Sequence, residues 1–444
     1  MKRKLFITYF IVAAFYTKAQ DIPETFTLQE AIDWGMEYNR TLQSASMEYQ
    51  KAHKEKWKTI SIGFPQINAN LQYQNNIEQP VSLIPAQFFG GNEGEFAEVV
   101  FGTKQTATGM VELNQLLFDG TYVVGVQGIR HYIETAANVL EKNQLEIKKA
   151  IITAYVNVQV AHENLKILNK NIVALENNLR ETQALLSNGF VEEESVEQLR
   201  LTLSSLKVQI NYTHKTVALV ENVLNLLLGI DISKKIKLTE TLEVLVTKEI
   251  LEDKNTDDYS NNIDLRLAEN NVTSESLLYR LERAKALPSF SAFLNGMYMG
   301  NSDTFTFTQS NQKWFGSSAF GLRVRVPIFS SLGRTASSQK AKLSLLQAET
   351  QLIETKAKVY VEWQNAKNNY SLAIDNFQTA KENVALAERI ERKNTTKFFE
   401  GLTGSFELRQ AQVQLYQAQQ NLVQSMRQLI LDKTTLETIT NNAQ

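Results

Sequence analysis

Residues 188–229 read NGFVEEESVEQLRLTLSSLKVQINYTHKTVALVENVLNLLLG. Within them Val196, Leu199, Leu203, Leu206, Ile210, Thr213, Val217, Val220, Leu224 and Leu227 alternate by three and four residues without interruption. Sustained 3-4 spacing presents one apolar seam of a supercoiled helix to its neighbours. No proline or glycine falls between Phe190 and Leu228, so nothing stops this helix before Gly229.

Upstream of Gly189 the same rule holds for Ile151, Tyr155, Val158, His162 and Leu165, in a segment free of glycine from Arg130 to Asn188. A helix from Tyr122 to Ser187 runs on the order of 100 Å at 1.5 Å per residue. The two helices meet at Gly189 as a hairpin. A second hairpin follows from Leu343, Leu346, Thr350, Ile353, Ala357 and Tyr360 before Gly401, and from Leu408, Ala411, Leu415, Ala418, Leu422, Ser425, Leu429, Asp432, Leu436 and Ile439 after it. The whole chain has only six prolines and nineteen glycines. No proline lies between Pro85 and Pro288 or after Pro327, whereas ordinary domains turn every few residues.

The two hairpins belong to an internal duplication. Asn39-Arg40-Thr41-Leu42-Gln43-Ser44-Ala45 matches Asn262-Ile263-Asp264-Leu265-Arg266-Leu267-Ala268, and Pro65 and Pro288 keep the same spacing. Val111–Phe118 matches Leu322–Phe329 at a shorter spacing, so the first half holds extra residues between its two prospective strands. Each half reads helix, strand, loop, strand, long helix, break, long helix. A duplication of this length is of a whole unit, not a short solenoid repeat.

The strands announce themselves by alternation. Ile67, Ala69, Leu71 and Tyr73 oppose Asn68, Asn70, Gln72 and Gln74; Leu322, Val324 and Val326 oppose Arg323 and Arg325. Pro288, Phe290, Ala292 and Leu294 alternate more weakly with Ser289, Ser291, Phe293 and Asn295. One apolar and one polar face suits a sheet between lipid and water as well as a soluble half-buried sheet. Four short strands cannot close a barrel from one copy, so closure needs several chains.

Composition narrows the class. With 444 residues, 43% of them hydrophobic, and 46 basic against 48 acidic side chains, the chain is too apolar for a disordered protein and has no basic excess for nucleic acid. Cysteine is absent, which excludes disulfides, thiolate metal sites, a cysteine nucleophile and a lipidated cysteine. Lys2, Arg3 and Lys4, the apolar Leu5–Phe15 and Thr17-Lys18-Ala19 form a secretory leader over 1–19 with a small-x-small cleavage site. The rest has no run of about 18 apolar residues and hence no transmembrane helix. His53, His131, His162 and His214 have no metal-ligand spacing, with His162 on the seam. No phosphate loop, nucleophile elbow or paired-carboxylate motif points to an enzyme or a cofactor.

The ordered combination of these parts resembles the TolC-like outer-membrane efflux protein family over nearly the whole mature chain. It is carried by the duplicated unit, the strand ends Leu116-Leu117-Phe118-Asp119-Gly120 and Pro327-Ile328-Phe329, and the tips Asn188–Val196 and Phe398–Leu408. The resemblance implies a mainly α fold with a small antiparallel β part: a long coiled-coil α-helical barrel in the periplasm and a twelve-stranded transmembrane β-barrel shared by three chains. Its implied domains are a first repeat over 20–230, an equatorial linker over 231–258, a second repeat over 259–440 and a short tail at 441–444. The loops Asn75–Thr108 and Gly300–Ser318 are expected outside the cell. The implied partners are two further copies of the chain, a periplasmic adaptor, an inner-membrane transporter and outer-membrane lipid, without nucleic acid. The implied role is a passive exit duct for efflux or type I secretion.

The same resemblance assigns site residues. The sixth residue after each tip glycine is Ser195 in the first half and Glu407 in the second, and three copies of Glu407 would ring the periplasmic entrance. Gln410 stands where relatives place a further acid. Such a ring favours cations, although a first-turn acid beside a helix N-terminus reads the same way locally. Gly189, Phe190, Val191, Gly401 and Leu402 form the tips that would meet the adaptor, because exposed apolar residues there need a cover. Glu192-Glu193-Glu194 reads as first-turn acids. Arg323 and Arg325 point to the barrel lumen, since arginine facing lipid is expensive. A periplasmic coiled-coil scaffold with a soluble sheet is the alternative; an adaptor subunit is disfavoured because it lacks a full-length duplication.

Overall fold

The computed structural model describes residues 22–251 and 258–441; the leader expected over 1–19 and the last residues of the expected tail lie outside them. In chain order the elements are β1 (Thr25–Phe26), α1 (Leu28–Tyr38), α2 (Arg40–Ser61), β2 (Gln66–Asn75), β3 (Val81–Pro85), β4 (Phe96–Val100), β5 (Gln105–Phe118), α3 (Gly120–Ser187), α4 (Glu193–Leu228), β6 (Lys237–Leu238), α5 (Leu242–Leu251), α6 (Ile263–Ala284), β7 (Ser289–Ser302), β8 (Trp314–Arg325), α7 (Gly333–Phe399) and α8 (Ser405–Thr440). The proline- and glycine-poor stretches are the long helices: α3 has 68 residues, α7 has 67, and α4 and α8 have 36 each.

The duplication is visible at the level of hydrogen bonds. The Asn39 side chain accepts from the Thr41 and Leu42 amides at 2.9 and 3.2 Å, and Asn262 accepts from the Asp264 and Leu265 amides at 2.9 and 3.2 Å. Both asparagines are buried, and each satisfies amides that a helix start leaves without an internal partner.

By packing, the chain divides into two compact units, each drawing on both halves of the duplication. One takes its described residues from 22–43, 144–251 and 363–441. Its core gathers Phe26, Ile151, Tyr155, Val158, Leu224, Leu228, Leu429 and Ile430, all buried. The β1 strand pairs in parallel with β6, and Leu242, Leu245 and Val246 of α5 close the same core, so the segment after Gly229 is an integral part of this unit. Burial pushes the Tyr155 hydroxyl up to about 12, and that hydroxyl donates to the Phe26 carbonyl at 3.1 Å. Polar bonds key α3 to α8: Asn171 Nδ2 donates to Gln419 Oε1 at 3.0 Å, and Arg427 Nε to Asn157 Oδ1 at 2.8 Å. The heptad seam of α4 is buried or half-buried at all ten positions, as is that of α8.

The other unit, residues 44–143 and 258–362, carries the sheet β2-β5-β7-β8, antiparallel throughout. Its two outer strands, β2 and β8, have a free edge each. Lys142 pairs with Asp264 at 2.8 Å and Arg266 with Glu141 at 2.7 Å, fastening α6 to α3.

Four expectations need correction. His162 is not on the seam: its side chain is 47% exposed and meets Glu221 at 3.2 Å. On α7, Leu343, Leu346, Thr350, Ile353, Ala357 and Tyr360 are all exposed within one chain. The buried residues instead include Val359, Ala366, Ala373, Ala380 and Ala387, every seventh residue, with Ala348 and Phe398 nearer the two ends of the helix. Small side chains allow close helix approach, and the larger stripe is left over. The loops are also shorter than Asn75–Thr108 and Gly300–Ser318, because β5 begins at Gln105, β7 extends to Ser302 and β8 begins at Trp314. Finally, the extra residues of the first half are not plain loop but a hairpin of β3 and β4, joined through a short 3-10 turn at Ala86–Phe89.

Candidate functional site: hairpin tips and sheet faces

Both helical hairpins turn by one mechanism. Gly189 and Gly401 sit at φ 77° and 71°, a left-handed conformation that costs glycine least. Around them the Phe190 amide donates to the Leu185 carbonyl at 3.0 Å and the Leu402 amide to the Lys397 carbonyl at 2.8 Å. The Gly189 amide reaches Leu186 at 2.9 Å, and the Gly401 amide reaches Phe398 at 3.1 Å. This doubled bond pattern satisfies the last carbonyls of α3 and α7 and reverses the chain.

The turn leaves its apolar residues in water. Phe190 is 76% exposed and Leu402 71%, while Val191 is half-buried. Phe406 is also exposed and lies under the Arg409 guanidinium, 5.5 Å from the ring centre. It lies within the tip segment Phe398–Leu408 but is not among the residues that the sequence assigned to the adaptor contact. The two tips touch through the Ser405 hydroxyl, which donates to Gln198 Oε1 at 3.4 Å. Ser195 is buried, whereas Glu407 and Gln410 are exposed in the first turns of α8. Glu407 follows the N-cap Gly404 by three residues, and a Cβ on Gly404 would stand 3.0 Å from Glu407 Oε2. The carboxylate therefore folds back over the positive end of the α8 dipole.

The sheet has two chemically opposite faces, fixed by register. Across β2, β5, β7 and β8 one face carries the rows Asn68-Glu112-Asn295-Ala319, Asn70-Met110-Met297-Ser317 and Gln72-Thr108-Met299-Phe315. Arg323 and Arg325 lie on this face, with Arg323 stacked 5.3 Å above the Phe293 ring. Gly321 makes room for that ring, since a Cβ there would stand 2.7 Å from it.

The opposite face carries Ile67, Leu71, Val111, Leu294, Phe320, Leu322 and Val324, all exposed, and no charged residue on any of its four strands. Aromatic groups bound it at both ends. Tyr73, Phe305, Phe307 and Trp314 cluster with ring centres 5.6 to 6.2 Å apart, and Phe118 meets Phe290 at 6.0 Å at the other end. From Trp314 to Val324 the apolar face extends about 34 Å along the strand at about 3.4 Å per residue, which a tilt near 40° such as membrane barrels have would reduce to a height of roughly 25 Å. No helix of the described residues is long and apolar enough to cross a membrane.

Comparison with known proteins gives a consistent picture. Residues 259–442 match the family model described as outer membrane efflux protein. No curated protein matches the chain. Among solved structures, CusC, described in terms of transmembrane channel formation, aligns at 17% identity with TM-score 0.76, covering 93% of this chain and 91% of its own. The outer membrane protein VceC of Vibrio cholerae aligns at 14% identity with TM-score 0.74, over 93% and 95%. The CmeC outer membrane channel of Campylobacter jejuni aligns at 16% identity with TM-score 0.73, over 93% and 85%.

Proposed function

We propose that three copies of the chain assemble into an exit duct across the outer membrane, a reading supported by the match of residues 259–442 to the outer membrane efflux protein family model and by the fold shared with outer-membrane channels. The observation that carries this reading is the uncharged apolar face of the sheet, about as tall as a bilayer core and bounded by aromatic rings at both ends. In lipid every backbone amide needs a partner, so the free edges of β2 and β8 are tolerable only if β8 of one copy pairs with β2 of the next. Three four-stranded sheets close such a barrel. Its interior is then the asparagine- and glutamine-rich face, with Arg323 and Arg325 towards water.

The helices of the trimer form the periplasmic part of the path. The duct moves solute passively, and an inner-membrane transporter supplies the energy through an adaptor that covers Gly189, Phe190, Val191, Gly401 and Leu402 at the tips. Three Glu407 carboxylates at the entrance, with uncharged Gln410 a turn further on, favour cations. The test is mass and conductance of the purified protein. A detergent-solubilised trimer that forms discrete ion channels in planar bilayers is expected. A monodisperse monomer, stable without detergent and silent in bilayers, overturns the duct and favours the soluble scaffold.

A further inference from the structure

The sequence holds seven methionines, at positions 1, 36, 47, 110, 297, 299 and 426. Three of the six that follow Met1 converge on one patch of the polar sheet face. Met110 of β5 and Met297 of β7 are direct register partners. Met299, two residues along β7, returns to the same face because strand side chains alternate. Directly opposed residues have Cβ atoms about 4.5–5.5 Å apart and diagonal ones about 7–8 Å. A methionine side chain, with three rotatable bonds, spans such a gap. All three are half-buried in a face built mostly from amides and hydroxyls, with Asn70, Ser317, Gln72, Thr108 and Phe315 as their row neighbours. Glu112, one row away, is the only acid on that face of the four strands.

We propose that Met110, Met297 and Met299 form a trithioether site for a soft monovalent cation of the Cu(I) or Ag(I) class, one per chain. Thioethers select such ions over Zn(II), Mg(II) or Ca(II), which prefer nitrogen or oxygen donors. No group of three or more His, Asp or Glu among the described residues competes for a metal ion. A thioether takes up no proton in the physiological range, so the site works at any periplasmic pH, and the Glu112 carboxylate beside it adds attraction for a cation without becoming a ligand. Neutral, exchangeable ligands hold an ion briefly and release it, as a conducting path requires. That the patch lies in a lumen rests on the duct reading; that it binds a soft cation does not.

Silver nitrate in chloride-free buffer is the probe, because Ag(I) needs no reductant. With the full chain in detergent and methyl-labelled methionine, titration is expected to saturate at one Ag(I) per chain and to shift three methyl resonances. These are assigned by Met110→Leu, Met297→Leu and Met299→Leu. Each substitution weakens binding by at least the roughly tenfold that loss of even an outer-shell partner costs a metal site. The Met36→Leu, Met47→Leu double variant keeps the binding. Zn(II) produces no shift. Leucine preserves size and apolarity, so the variants keep the trimer's mass. Silver binding that survives loss of all three methionines, or no binding at all, overturns the proposal. Silver binding by a protein that forms no channel removes the lumen but leaves the site standing.

Discussion

Glu407 stands at the junction of two explanations that differ in what they predict. As a first-turn acid folded over Gly404 it places its charge at the positive end of the α8 dipole. As one of three carboxylates around an aperture it sets a negative potential at the entrance. Glu407→Gln removes the charge in both cases, but only the second links it to ion flow. Under a salt gradient in planar bilayers, the wild-type trimer is expected to be cation-selective, Glu407→Gln to move its reversal potential towards zero, and Glu407→Asp to retain most of the selectivity. A reversal potential unchanged in Glu407→Gln assigns the residue to the helix end alone. The neighbouring residues set the context: Gln410 adds no charge, and Arg409 is occupied by the Phe406 ring.

At the scale of elements, α7 presents two stripes with different purposes. Ala366, Ala373, Ala380 and Ala387 face inward at seven-residue intervals. Leu343, Leu346, Ile353 and Tyr360 face outward, with Ile353 71% exposed. Burying one such aliphatic side chain contributes about 1.5–3 kcal/mol, and an aspartate in the same contact must be desolvated. If this stripe is covered by the next copy, Ile353→Asp shifts the detergent-solubilised protein from trimer to monomer without loss of helical circular dichroism. A trimer of unchanged stability removes the stripe from the interface. The heptads of α4 and α8, the glycine turns and the four sheet strands were legible because each depends on a local period or a single special residue. The alanine seam of α7 was not, since alanine carries little hydrophobic signal and the larger residues nearby follow the same 3-4 rule. Nor was the β3–β4 hairpin, which has no counterpart between β7 and β8 of the second half. Alternation alone places Met297 and Met299 on one face, but their relation to Met110 needs the β5–β7 register, which spacing along the chain does not contain.

At the scale of the whole molecule the tips are the surface that an adaptor would cover in the proposed duct. Phe190, Leu402 and Phe406 are exposed together beside two glycine turns, an arrangement that a helical hairpin from a partner would cover. Leu402→Asp is therefore expected to leave the trimer's mass and single-channel conductance intact while abolishing export in cells. Normal export by this variant excludes the second-half tip from the contact.

The two free sheet edges carry a consequence for the life of the chain before it becomes part of anything. A newly exported copy has open backbone donors and acceptors along β2 and β8 and an apolar face turned to water. Any other exposed strand is as good a match for those edges as the correct one, and folding intermediates of this kind are the ones that clump. If three copies close one barrel, correct and wrong pairing compete, and both draw on the concentration of the chain. Doubling the supply of chain speeds correct assembly and wrong pairing together, and what favours the right outcome is a lipid surface that takes up the apolar face early.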